Sequence, residues 1–215
     1  MEVTISVRGT HTVTHAPERG TVRARVVVDG SDAGWVTALA ADAVALARES
    51  LSALHAPAQR GPVTAYSVDQ VSVHAHRPWT DHGNPSPLVH TASARISATF
   101  SDPAALGRWI VEIVGVDGLR IDGVDWDVSS AMRQQLERDA RREAVRHALR
   151  QAQDYADALG LGQVHVREID DRRGAQDGPM PRFAAMAAQD GSELFTPKDV
   201  EIASSVDAVF VVSRA

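Results

Sequence analysis

His74 and His76 stand two residues apart in "VSVHAHRPWTDHG", and Asp81 and His82 follow closely. Side chains two apart on a strand point to one face. Two imidazoles joined by a third imidazole or a carboxylate make a donor set for zinc or copper. His74, His76 and His82 are therefore the candidate metal ligands. The simpler reading of the same residues is the polar face of a sheet whose other face carries Val71 and Val73.

Other chemistry is poorly provided for. The chain of 215 residues has no cysteine, which removes disulfides, thiolate ligands and cysteine nucleophiles. No G-x-S-x-G elbow is present, so nothing signals a hydrolase nucleophile. "GVDGLRIDGVDWDV" is rich in Asp but lacks the spacing and closing Glu of a calcium loop; Asp-Gly turns account for it. Met180, Phe183, Met186, Leu194 and Phe195, in the long stretch 170–199, are the candidate interface residues. They supply more apolar material than a solvated linker needs, and the competing reading is a disordered loop on a monomer.

Gly160-Leu161-Gly162 invites a phosphate-binding reading. A dinucleotide fingerprint needs strand, glycine turn, then helix, so that helix N–H groups meet the phosphates. Here the order is helix, glycines, strand, which presents carbonyls instead. Gly160 is expected to be the left-handed residue that ends the helix. Arg138, Arg141, Arg142 and Arg146 are interleaved with Glu137, Asp139 and Glu143, and the formal net charge is -6. That pattern predicts a solvated helix face, with no nucleic-acid partner. No cofactor and no catalytic residues are expected.

The elements that must position these residues follow from periodicity. Val3, Ile5 and Val7 alternate with polar residues, and Val22, Ala24, Val26 and Val28 do so after "HAPERG"; the short connection suggests a hairpin. Ser31 or Asp32 caps a helix with Trp35, Leu39, Ala43, Leu46 or Ala47, and Leu54 on its apolar face. Stretches 63–77 and 88–100 form a second strand pair. Asp102 caps the next helix, Pro103 takes its first position, and Gly115 closes it. "LRIDGVDWDV" is a strand that needs a bulge near Asp122-Gly123 to keep its apolar residues on one face. The longest helix spans about 130–159, with Met132, Leu136, Ala140, Val145, Leu149, Ala152, Tyr155 and Leu159 as its stripe. Strands at 163–169 and 200–212 complete the chain.

The order is ββα-ββαβ-αββ, an α+β chain of two small lobes of antiparallel sheet backed by helices. The segment 62–128, bounded by "PAQRGP" and Ser129-Ser130, reads as a ββαβ lobe inserted into an outer lobe of 1–61 plus 129–215. "MEVTISVRGT" has no basic start and no apolar core, so no signal peptide is expected. No apolar run is long enough to span a bilayer. The expectation is a soluble, cytoplasmic chain, or an exported one if a leader has been removed.

Four stretches carry a resemblance: "ISVRGTHTVTHAPERGTVRARVVVDG", "LVHTASARISATFSDPAALGRWIVEIVGVDGLRIDGVDWDV", "ARREAVRHALRQAQDYADALGLGQVHVREI" and "TPKDVEIASSVDAVFVV". In order and content they resemble the SIMPL-domain family, which includes periplasmic immunogenic, outer-membrane-associated bacterial proteins. Thr10-His11 stands where a second glycine is usual, Glu18 where Asp is usual, and Lys198-Asp199 in place of a proline-glycine lead-in. The resemblance implies two α+β lobes, one inserted in the other, and homo-oligomeric assembly. It implies stress- or envelope-related roles and, in animals, links to kinase signalling, but no catalytic residues. The expected function is thus non-enzymatic, by self-assembly or protein binding. The alternative is a metal-binding protein or enzyme using the His-rich strand around 71–90.

Overall fold

The structure is a computed structural model describing residues 2–55, 61–78, 87–171 and 197–213. In chain order the elements are β1 (Glu2–His15), β2 (Arg19–Gly30), α1 (Ala33–Leu54), β3 (Val63–Val68), β4 (Ser72–His76), β5 (Val89–Phe100), α2 (Pro103–Ile113), β6 (Leu119–Asp127), α3 (Ser130–Ala158), β7 (His165–Asp170) and β8 (Val200–Ser213). They form two antiparallel sheets, β1-β8-β7 and β3-β5-β2-β6, with β4 also paired to β5. The fold class is α+β, as the periodicities indicate.

The chain divides into two units. One begins with β1 and resumes at Val128 and again at Asp199; the other runs from Pro17 to Asp127. The boundary expected at 61/62 therefore falls at 16/17, and the lobe 62–128 gains β2 and α1. The cause is strand pairing. β2 lies inside its sheet, hydrogen-bonded to β5 from Gly20↔Phe100 to Gly30↔His90 and to β6 from Arg19↔Asp127 to Val26↔Leu119. It cannot be separated from 62–128. The expected hairpin of β1 and β2 does not form for the same reason. β1 pairs instead with β8 along its whole length, Glu2↔Ser213 to His15↔Val200. Alternation announces that a strand has a buried face, not which strand lies beside it.

Several local expectations hold. Asp32 caps α1, accepting from the Trp35 amide at 2.6 Å, and Asp102 caps α2 ahead of Pro103. The bulge in β6 falls at Asp122: Arg23 pairs with Gly123 and Ala24 with Ile121. The stretch 63–77 does pair with 88–100 but breaks into β3 and β4 around residues 69–71, where the Asp69 amide still bonds the Arg95 carbonyl.

In the unit containing β2, α1 and α2 cover one sheet face. Val22, Val26, Ile96, Phe100, Val36, Leu51, Leu106 and Trp109 are buried together. Trp109 satisfies its indole N–H on the Ser50 hydroxyl at 3.0 Å, so its bulk is buried without an orphaned donor. In the other unit α3 packs on β1 and β8.

Both long helices bury a different stripe from the one their large residues suggest. α1 buries Val36, Ala40, Ala43, Val44, Ala47 and Leu51, leaving Trp35 and Leu46 exposed. α3 buries Leu136, Ala140, Ala144, Ala148, Ala152 and Ala156, leaving Val145, Leu149, Tyr155 and Leu159 exposed. For α3 the reason lies at Gly9 of β1. A Cβ there would sit 2.0 Å from the Ala144 carbonyl oxygen and 2.8 Å from the Ala148 Cβ. Helix and strand touch backbone to backbone, and only glycine facing alanine fits.

Candidate functional site

His74 and His76 lie on β4 and are exposed. Their partners on β5 are Thr91 and Val89, so the two imidazoles do share a face. His82 and Asp81 lie outside the described residues. Among the described residues, no group of three or more His, Asp or Glu side chains is placed to hold a metal. Met180, Phe183, Met186, Leu194 and Phe195 also lie outside the described residues.

Several of the charged side chains singled out in the sequence have structural partners. On the sheet face away from α1 and α2, Arg19 pairs with Asp127 at 2.7 Å, Arg23 with Asp125 at 2.9 Å and Arg25 with Asp122 at 3.0 Å. The Asp-rich stretch is thus one side of a cross-strand ion-pair ladder between β2 and β6. Arg8 and Asp207 form a two-pronged pair across β1 and β8, at 2.8 and 3.1 Å. On α3, Arg142 pairs with Asp139 at 3.4 Å and Arg146 with Glu143, the neutralising pattern expected of a solvated face.

Gly160 has φ 65°, and its amide donates to the Asp157 carbonyl while that of Leu161 donates to the Ala156 carbonyl. These two bonds are those of a Schellman helix end. Gln153 fastens the joint, accepting from the Val164 amide at 3.1 Å and donating to Asp157 at 2.8 Å. The glycine pair links α3 to β7 and presents carbonyls, not a cradle of amides.

One surface was not foreseen. Because α3 lies over β1 and β8, the helix-side face of β7 is left open among the described residues. Val166 is 58% exposed and Ile169 51% exposed. On the adjacent flank of α3, Val145 and Leu149 are 37% and 45% exposed, one turn apart. Val145, Ile169 and Val206 line a shared cleft of about 170 Å³ together with Arg141 and Ser204. The two sheet edges are treated differently. On β1 the Thr10 amide is taken by His147 Nδ1 of α3 at 3.0 Å. Among the described residues, β7 has β8 as its sole strand neighbour. The periodicity places a strand here but counts Val145 and Leu149 in the core stripe; the alanine spacing of four is the signal that they are not.

Among the described residues no helix is long and apolar enough to cross a membrane. A search of curated proteins finds no match. A family model does match: SIMPL, described as a protein of unknown function (DUF541), over residues 5–210.

Proposed function

The chain belongs to the SIMPL family, and from that premise we propose that it acts without catalysing a reaction, by associating with further copies of itself. The observation that carries this is the open apolar surface of Val145, Leu149, Val166 and Ile169 beside an edge strand. Burying such side chains is favourable by about 25 cal/mol per Å² of apolar surface. A sheet edge additionally offers backbone donors and acceptors to a neighbouring chain. The non-enzymatic part of the reading is supported by where the reactive side chains go. Asp122, Asp125 and Asp127 hold arginines, His147 holds the Thr10 amide, and His55 Nδ1 lies 2.9 Å from the Val63 carbonyl. These are structural duties spread over two sheets. A stress- or envelope-related setting accords with the family resemblance.

The test is light scattering coupled to size exclusion, on the intact chain and on Leu149→Lys combined with Val166→Lys. Both positions are exposed, so the variant should keep its circular dichroism and melting temperature. An oligomer that becomes monomeric in the variant is the expected result; a monomeric intact chain contradicts it.

His74 and His76 sharing a face of β4 favour a second reading, a metal-binding protein. Plasma mass spectrometry on protein purified without a His tag separates the two. Stoichiometric zinc or copper, lost in His74→Ala with His76→Ala, would establish the second reading. Substoichiometric metal that is unchanged in His74→Ala with His76→Ala is the result expected of the self-association reading.

A further inference from the structure

We propose that two copies of this chain join edge to edge through β7, antiparallel and in one register, about a two-fold axis between Arg167 and Glu168. This rests on the self-association reading above and names its contact. The strand reads His165-Val166-Arg167-Glu168-Ile169-Asp170. Laid against a second copy about that axis, Val166 meets Ile169, His165 meets Asp170, and Arg167 meets Glu168. Apolar faces apolar and each basic or imidazole side chain faces a carboxylate. An isologous contact requires such self-complementarity.

The sides of the strand agree. Val166 pairs with Phe210 and Ile169 with Ala208, both buried residues on the α3 side of β8. His165, Glu168 and Asp170 pair with Val211, Val209 and Asp207, on the other side. Arg167 occupies the irregularity between Val166 and Glu168 and reaches toward Glu2 at 4.0 Å. Glu2 shares the alternation of Arg8, the partner of Asp207, so Arg167 lies on the side of Glu168. A regular strand would place Val166 and Ile169 on opposite faces. The irregularity puts them on one, and the order of sides then reads the same from both ends.

The register is selected by its neighbours. Shifting the second copy by one residue one way sets Arg167 opposite Arg167; the other way sets Glu168 opposite Glu168. Either shift also brings Val166 against a carboxylate. Like charges directly opposed are unfavourable in a sheet, and a one-residue slip moves apolar side chains to the wrong partner. The paired strands would extend the sheet to β1-β8-β7-β7-β8-β1, with Val145 and Leu149 of each α3 flanking the seam. The β1 edge is the weaker candidate, since His147 already occupies the Thr10 amide.

The chain has no cysteine, so single substitutions give an unambiguous test. Val166→Cys and Ile169→Cys proteins are prepared separately and mixed in a glutathione redox buffer. Oxidised glutathione accepts the two electrons, becoming two reduced glutathiones as the protein thiols join. The expected result is a disulfide-linked dimer of the mixture, formed at least about tenfold faster than in either protein alone. A residue and its own copy would be offset by three positions, roughly 10 Å at ~3.4 Å per residue, beyond the ~7 Å reach of a disulfide. Arg167→Glu should weaken association, and Arg167→Glu with Glu168→Arg should restore it. Light scattering on the intact chain runs beside both. An oligomer with no 166–169 cross-link overturns the β7 contact but leaves self-association standing. Efficient cross-linking of Val166→Cys alone overturns the register. A monomeric intact chain overturns both.

Discussion

One methyl group added at Gly9 has nowhere to go: it would lie 2.0 Å from the Ala144 carbonyl oxygen. Gly9→Ala must push α3 off β1, and is expected to destabilise the chain by about 2–3 kcal/mol, as overpacking of a tight core does. Urea denaturation measures this; a change under about 0.5 kcal/mol, the scatter of surface substitutions, would mean that the contact yields easily. Gly160 is a different kind of glycine. Nothing lies within 4 Å of a Cβ placed there, and its φ is 65°. Its cost is purely conformational, so Gly160→Val should lose about 1–2 kcal/mol while Gly160→Asn, a residue that tolerates the left-handed region, loses distinctly less. Equal losses would show that space rather than φ matters. Gly160 was legible in the sequence because its cause, the end of a helix, lies beside it. Gly9 was not, because its cause is a pair of alanines on a helix far along the chain.

At the scale of elements, the strands, the caps at Asp32 and Asp102 and the bulge at Asp122 were all readable, since each depends on a few adjacent residues. What misled was size. Val145, Leu149, Tyr155 and Leu159 recur at nearly helical spacing and look like a core stripe, yet the buried line is Ala140, Ala144, Ala148, Ala152 and Ala156. Alanine at every fourth position lets a helix approach a strand closely, and the dispersion gained along that contact replaces the bulk of larger side chains. Two substitutions at neighbouring positions separate the readings. Ala148→Leu should destabilise by about 1–3 kcal/mol, and Leu149→Ala should stay within about 0.5 kcal/mol in the dissociated protein. The reverse order, measured by thermal or urea unfolding at low protein concentration, would restore the large residues to the core.

At the scale of the whole molecule, the division after Ala16 and Asp127 follows from which strands share hydrogen bonds, information that no single stretch contains. β1 and β8 come from opposite ends of the chain yet pair over fourteen positions, Glu2↔Ser213 to His15↔Val200. The candidate metal ligands His74 and His76 were correctly placed on one strand face. The open β7 surface was invisible to sequence reading because exposure there depends on where α3 settles, over β1 and β8. The candidate interface residues of the 170–199 stretch are a separate proposal: replacing 174–192 by a short Gly-Ser linker should leave association intact if β7 is the main contact. The most direct test of that contact is hydrogen–deuterium exchange of residues 165–170 across a dilution series, with β4, residues 72–76, as the internal control. Protection of the β7 amides is expected to rise with protein concentration while that of β4 stays constant. β7 amides whose exchange is the same at every concentration, in a range where light scattering shows the mass changing, would contradict it.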